Sequence, residues 1–154
     1  EAFSYFIPAA IFSTTSNLLA SWAADKIHLK PILIIMLVSF CLGSLGFINL
    51  QNNWGFWMLA FGFGVGGGLW GVLSNLSYIR FFGPNHLGEI SGFSASLTVF
   101  ASAIGPAAFS LGFDYFGSYA APAKICLGFL IVLLITSVLL DHKEGSKLDL
   151  ANLN

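Results

Sequence analysis

Side chains able to do chemistry are few in this chain, and they fall into two groups. Asp25, Lys26 and Lys30 lie together in the short polar stretch between Ser21 and Pro31, and Arg80 and Glu89 stand at a second polar break, with His86 three residues before Glu89. Thr14, Asn17, Trp70, Thr98 and Ser102 are uncharged and sit inside long apolar runs. The first group can make and break ion pairs. The second can hydrogen-bond to a solute, or stack on it, in surroundings of low dielectric. Neither is a catalytic set: an intramembrane protease or transferase needs two aspartates, His-Glu-x-x-His, or a serine with a histidine in reach. All three histidines fall at or beyond the ends of the apolar runs. His86 and Glu89 at helical spacing are two metal-ligand types where a zinc site needs three or four, so neither a metal nor a cofactor is expected, and the chain does not read as an enzyme.

The elements that must position these groups follow from composition. Of the 154 residues 8% are charged and 56% hydrophobic, where a soluble domain carries about a quarter charged. No Asp, Glu, Lys or Arg occurs between positions 31 and 79. Five apolar runs, at about 3–24, 31–50, 54–79, 87–113 and 120–140, each reach the roughly 20 residues needed to cross about 30 Å of hydrocarbon as a helix. Alternation of period two, the mark of a β-barrel, is absent. The expectation is an all-α, polytopic bundle of five transmembrane helices over 1–140, with a tail over 141–154. An odd number of spans and a first residue other than Met add the expectation that this is part of a longer chain. Cys41 and Cys126 lie within spans and read as buried free thiols, and a net charge of −1 offers no footprint for nucleic acid.

Lys26, Lys30, Arg80, Lys143 and Lys147 fall on one side of this topology and Lys124 alone on the other. Cytoplasmic loops collect lysine and arginine, which places the tail in the cytoplasm and Trp54 and Trp57 at the outer interface. Asp25 then sits at the C-terminal end of the first span, where the helix dipole disfavours an acid and favours Lys26 and Lys30. It lies too far before Pro31 to cap the next helix, so it calls for an ion pair or a helix N-terminus from another segment.

The spans differ in kind. Leu, Ile and Val make up 9 of 17 residues in 32–48 and 11 of 16 in 125–140, but 4 of 22 in 3–24, 7 of 24 in 56–79 and 5 of 24 in 90–113. Spans two and five therefore read as lipid-facing and the other three as interior. Ser91, Ser94, Thr98, Ser102 and Gly105 recur every three or four residues in span four, as do Gly64, Gly67, Gly71, Ser74 and Tyr78 in span three, each set tracing one helical face. Such small residues serve as packing seams or line a wet cavity. The run from Gly62 to Gly67 fits G-x-G-x-x-G, but it lies inside a membrane span, lacks the acidic residue about twenty positions on, and is better read as helix packing. Asn75-Leu-Ser77 fits a glycosylation sequon, yet within a span it should stay unmodified.

Ala24, Asp25, Lys26 and Lys30 resemble the loop motif of the major facilitator superfamily, G-x-L-[GAS]-D-[RK]-x-G-[RK]-[RK], with departures at Ser21, Ala23, His28 and Leu29. Gly92, Ala101 and Gly105-Pro106 resemble that family's antiporter motif, G-x8-G-x3-G-P, with Phe109 and Ser110 in place of its last glycines. The resemblance covers nearly the whole chain. It implies half of a twelve-helix fold, and the five spans match the eighth to twelfth; the alternative register, second to sixth, would place an arginine near positions 59–63, where none stands.

The resemblance further implies a secondary transporter working by alternating access around a midplane site. Asp25, Lys26, Lys30, Arg80 and Glu89 would be its cytoplasmic conformational switch, Thr14, Asn17, Trp70, Thr98 and Ser102 its substrate path, and Gly64, Gly67, Gly71, Gly92, Gly105 and Pro106 its packing and bending positions. The implied partners are the bilayer of the plasma membrane, an N-terminal half, a small-molecule substrate and a coupling proton or counter-anion. His86-Leu-Gly-Glu89 followed by Ser91-Gly92, and the stretch from Phe113 to Tyr119, look most like the carboxylate-antiporter branch that includes oxalate/formate exchangers. A membrane subunit without transport is the rival reading, and it leaves polar faces on three spans unexplained.

Overall fold

The computed structural model describes residues 2–24, 28–83 and 86–139, which form five α-helices and no strand. They are α1 Ala2–Ala24, α2 Leu29–Ile48, α3 Asn53–Phe82, α4 Leu87–Phe116 and α5 Ala120–Leu139. Asp25, Lys26 and the tail at 141–154 lie outside the described residues. The connections are short, so successive helices run antiparallel. One end of the bundle, the Arg80 end, holds the C-termini of α1 and α3 and the N-termini of α2 and α4. The Trp54 end holds the turn between α2 and α3 and that between α4 and α5.

Local chemistry sets the boundaries. α2 begins at Leu29, two residues before its expected start, because Pro31 in a first turn forfeits no helical hydrogen bond. At its other end the Asn49 side chain donates to the Leu45 carbonyl at 2.9 Å. α3 and α4 each run three residues past their expected ends and stop at glycines with positive φ, Gly83 at 74° and Gly117 at 65°. That region is open to glycine at little steric cost, and there it lets the backbone turn out of the helix.

α2, α3, α4 and α5 are each long and apolar enough to cross a membrane. α1, expected as a fifth span, has the length at 23 residues but not the apolarity, because Ser13-Thr-Thr-Ser-Asn17 occupies its middle. Exposed Phe6, Ile11, Phe100, Ile104, Phe129 and Val132 belong to an apolar surface suited to lipid rather than water.

α3 is the centre of the bundle, making its largest interfaces with α2 and α1. Two glycine pairs at i, i+4 spacing explain how it serves both. Gly62 and Gly66 lie against Gly43, Ser39 and the Phe40 ring of α2; Gly64 and Gly68, on the opposite face, lie against Ala9, Phe12 and Ser13 of α1. A Cβ at Gly64 would stand 2.8 Å from the Ala9 carbonyl oxygen, and one at Gly46 of α2 would stand 2.5 Å from the Leu59 backbone nitrogen. Helices in lipid associate through close van der Waals contact rather than hydrophobic expulsion, and bare backbone permits the closest contact. Phe12–Phe61 and Phe40–Phe63 ring pairs, with centroids 5.3 Å and 6.0 Å apart, flank the seams.

Two expectations about burial differ from what is observed. α2, read as lipid-facing, is held between α3 and α5; Leu29, Ile32, Met36, Leu37, Ser39, Gly43, Ser44 and Gly46 are buried while Ile35, Val38 and Leu45 are exposed. A high Leu/Ile/Val content suits a helix-packing face as well as a lipid face, so composition does not separate them. α4, read as interior, buries no residue at all. α5 buries Ala123 and Ser137, and its Leu130 and Leu134 pack on the cluster built from α1, α2 and α3.

Candidate transport pathway

At the Arg80 end, the Arg80 guanidinium Nη2 donates to the Ala24 carbonyl oxygen at 2.7 Å. This joins α3 to the last residue of α1, where helix carbonyls lack partners and the dipole is negative. Arg80 thus brings a cation to this helix end, where the sequence favours Lys26, outside the described residues, and Lys30. Lys30 lies instead in the first turn of α2, half-buried, because that helix starts early. Glu89 pairs with His86, Oε2 to Nδ1 at 3.6 Å, rather than with Arg80; both side chains are exposed, and the acid stands in the first turn of α4, where the dipole favours it. No group of three His, Cys, Asp or Glu residues gathers among the described residues.

Deeper in the bundle the five uncharged candidates occupy three helices. The Asn17 amide Nδ2 donates to the Gly68 carbonyl oxygen at 3.1 Å, so this group from α1 is engaged with the backbone of α3. A Cβ at Gly71 would come 3.1 Å from the same nitrogen. Thr14 is exposed on α1, and Trp70 is 47% exposed on α3. On α4, the exposed Thr98 and Ser102 hydroxyls donate to the carbonyls of Ser94 and Val99 at 2.9 Å and 2.7 Å. Each hydroxyl oxygen retains accepting capacity for a donor on a solute. Asn17 joins α1 to α3, but α1 and α4 do not approach each other, so these residues do not close into one pocket among the described residues.

The packing positions divide. Gly64 and Gly71 meet α1, whereas a Cβ at Gly67, Gly92 or Gly105 would meet nothing within 4 Å. α4 remains a single helix through Gly105 and Pro106. Pro106 has no N–H, which leaves the Ser102 carbonyl without its usual helical donor at mid-helix. Cys41 is half-buried and Cys126 exposed, both as free thiols, so burial was misjudged for the second.

An open groove of about 570 Å³ lies at the Trp54 end, lined by Ile7, Pro8, Ile11, Phe12, Phe56 and Trp57. None of the five path candidates lines it. The helix packing expected of the Gly62–Gly67 run is found at Gly62 and Gly66, with α2 as the partner that the sequence did not name, and one feature was missed from sequence: a hydrogen bond from the Tyr78 hydroxyl to Ser94 Oγ that ties α3 to α4. Tyr78 and Ser94 were placed on polar faces, but nothing in their spacing pairs them.

The sequence model describing the Major Facilitator Superfamily matches residues 3–152. The chain belongs to the Major Facilitator Superfamily. Proteins of this superfamily are secondary transporters of small solutes rather than enzymes, and with its long apolar helices this chain is an integral, multi-pass membrane protein. No match is found among curated proteins or among solved structures.

Proposed function

We propose that this chain is the C-terminal half, spans eight to twelve, of a transporter that moves a small organic anion by alternating access against an N-terminal half. In this reading α1 completes a five-span topology, and its polar middle faces a water-filled path. The Arg80 end faces the cytoplasm of a cell bounded by the plasma membrane, and a proton or counter-anion drives transport. Thr14, Trp70, Thr98 and Ser102 contact the solute, with Asn17 ordering α1 beside them.

The observation that carries the proposal is the grip of Arg80 on Ala24, the residue immediately before Asp25. It brings a cation to the C-terminus of α1, the kind of group that Asp25 calls for, and so supports reading this end as a charge contact that stabilises one state of the transporter and breaks in the other. Lys26, Lys30 and Glu89 complete this switch. The branch resemblance through His86, Glu89, Ser91 and Gly92 supports a carboxylate as the solute.

The test is uptake and counterflow of labelled mono- and dicarboxylates by the complete protein in liposomes. Saturable carboxylate flux, reduced at least tenfold by Asp25→Asn at unchanged expression, is the expected result. Unchanged flux in that variant removes the switch, and absence of any carboxylate flux removes the solute class.

A further inference from the structure

α4 is held differently from the other four helices. Every residue from 95 to 104 is exposed, and the α4 backbone approaches only α3 and α5 among the described helices. Its attachments lie at its ends. At the Trp54 end the Phe109 ring meets Phe47 edge-on at 6.0 Å, Phe113 stacks on Tyr119 at 4.6 Å, and a Cβ at Gly112 would stand 2.9 Å from the Pro122 ring. At the Arg80 end the Tyr78 hydroxyl donates to Ser94 Oγ at 2.5 Å, half-buried. Between these anchors α4 carries Thr98 and Ser102, and α3 presents Trp70 and the open side of Gly67.

We propose that the Tyr78–Ser94 hydrogen bond is a latch on the solute path. When made, it holds the Arg80 end of α4 against α3; when broken, α4 pivots about its aromatic anchor and the space beside Thr98 widens. The two ends differ in the kind of contact that fastens them. Stacked rings and a glycine under a proline ring tolerate small rotations without losing their contact, whereas a hydrogen bond between two hydroxyls is lost over a fraction of an ångström to an ångström. One such bond corresponds to a roughly three- to tenfold shift in an open–closed equilibrium, enough to bias a helix and not enough to lock it. Ser94 also connects latch to path, because its carbonyl accepts the Thr98 hydroxyl at 2.9 Å. A solute that draws the Thr98 hydroxyl away acts one helical turn from the latch. What the widened space carries rests on the transporter reading; the latch itself does not.

The test uses the full-length protein in open membrane fragments, with Cys41 and Cys126 replaced and Thr98→Cys as reporter for a water-soluble maleimide. Tyr78→Phe and Ser94→Ala should each raise the labelling rate about three- to tenfold. The double variant should go no further than either single one, Ser94→Thr should restore the original rate, and a Val132→Cys reporter on α5 should not respond. Rates within twofold of the parent in both single variants, additive effects, or a reporter silent in every background would overturn the latch. Should Tyr78→Phe fail to fold, the Ser94→Ala and Ser94→Thr pair decides the question alone. Uptake in sealed vesicles is measured separately, so faster labelling without uptake keeps the latch and removes the transport path, and uptake with unchanged labelling does the reverse.

Discussion

Asn17 and Ser102 look alike as sequence, each a polar side chain in the middle of an apolar helix, yet the structure gives them different work. The Asn17 amide reaches across to the Gly68 carbonyl, while the Ser102 hydroxyl bonds within its own helix to Val99. Removing a hydrogen bond between membrane helices costs about 0.6–1.7 kcal/mol. Asn17→Leu should therefore lower the thermal unfolding midpoint in detergent by an amount near 1 kcal/mol. Ser102→Ala should leave stability within about 0.5 kcal/mol, as expected of an exposed position, and change solute affinity instead. Equal losses of stability in the two variants would contradict this division. The polar residue types were legible from sequence; which of them is committed to a neighbouring helix was not, because that depends on a backbone carbonyl 51 positions away.

Helix packing explains where the sequence reading succeeded and where it did not. The apolar runs, the five helices and the small-residue seams were legible because bilayer thickness and helical period act on each segment alone. The partner of each seam was not, since it depends on the arrangement of helices. Thus Gly62 and Gly66 were read as packing positions, like the Gly64–Gly67–Gly71 face, but that the first pair fits α2 and that Gly64 and Gly68 fit α1 appears only in the structure. The consequence is a sharp contrast among neighbouring glycines. Gly62→Ala and Gly64→Ala, whose Cβ atoms would lie 2.6 Å from the Ser39 oxygen and 2.8 Å from the Ala9 oxygen, should each cost about 1–3 kcal/mol through forced backbone shifts. Gly67→Ala opens onto free space and should gain up to about 1 kcal/mol from the lower flexibility of alanine in a helix. Unfolding midpoints of the three variants measure this directly, and a loss at Gly67 equal to that at Gly64 would show that a further element covers it.

At the scale of the whole molecule, α1, α3 and α2 form one interlocked unit, α5 leans on α2, and α4 stands apart between its two anchors. Cysteines at Thr14 and Ser102 should then react with aqueous thiol reagents in the complete protein, while Ile131 and Val132 positions on α5 stay unreactive in lipid. Silence at both Thr14 and Ser102 would remove the water-filled path. The bond from Asn17 to Gly68 also bears on how such a protein is made. α1 emerges from the ribosome well before its partner, and at about 5–20 residues per second the 51 intervening positions take roughly 3–10 s to synthesise. During that interval the Asn17 amide has no Gly68 carbonyl to reach, and α1 is the helix least able to enter lipid by its own apolarity. The tie between α1 and the glycine-rich α3 therefore forms only once α3 has been synthesised.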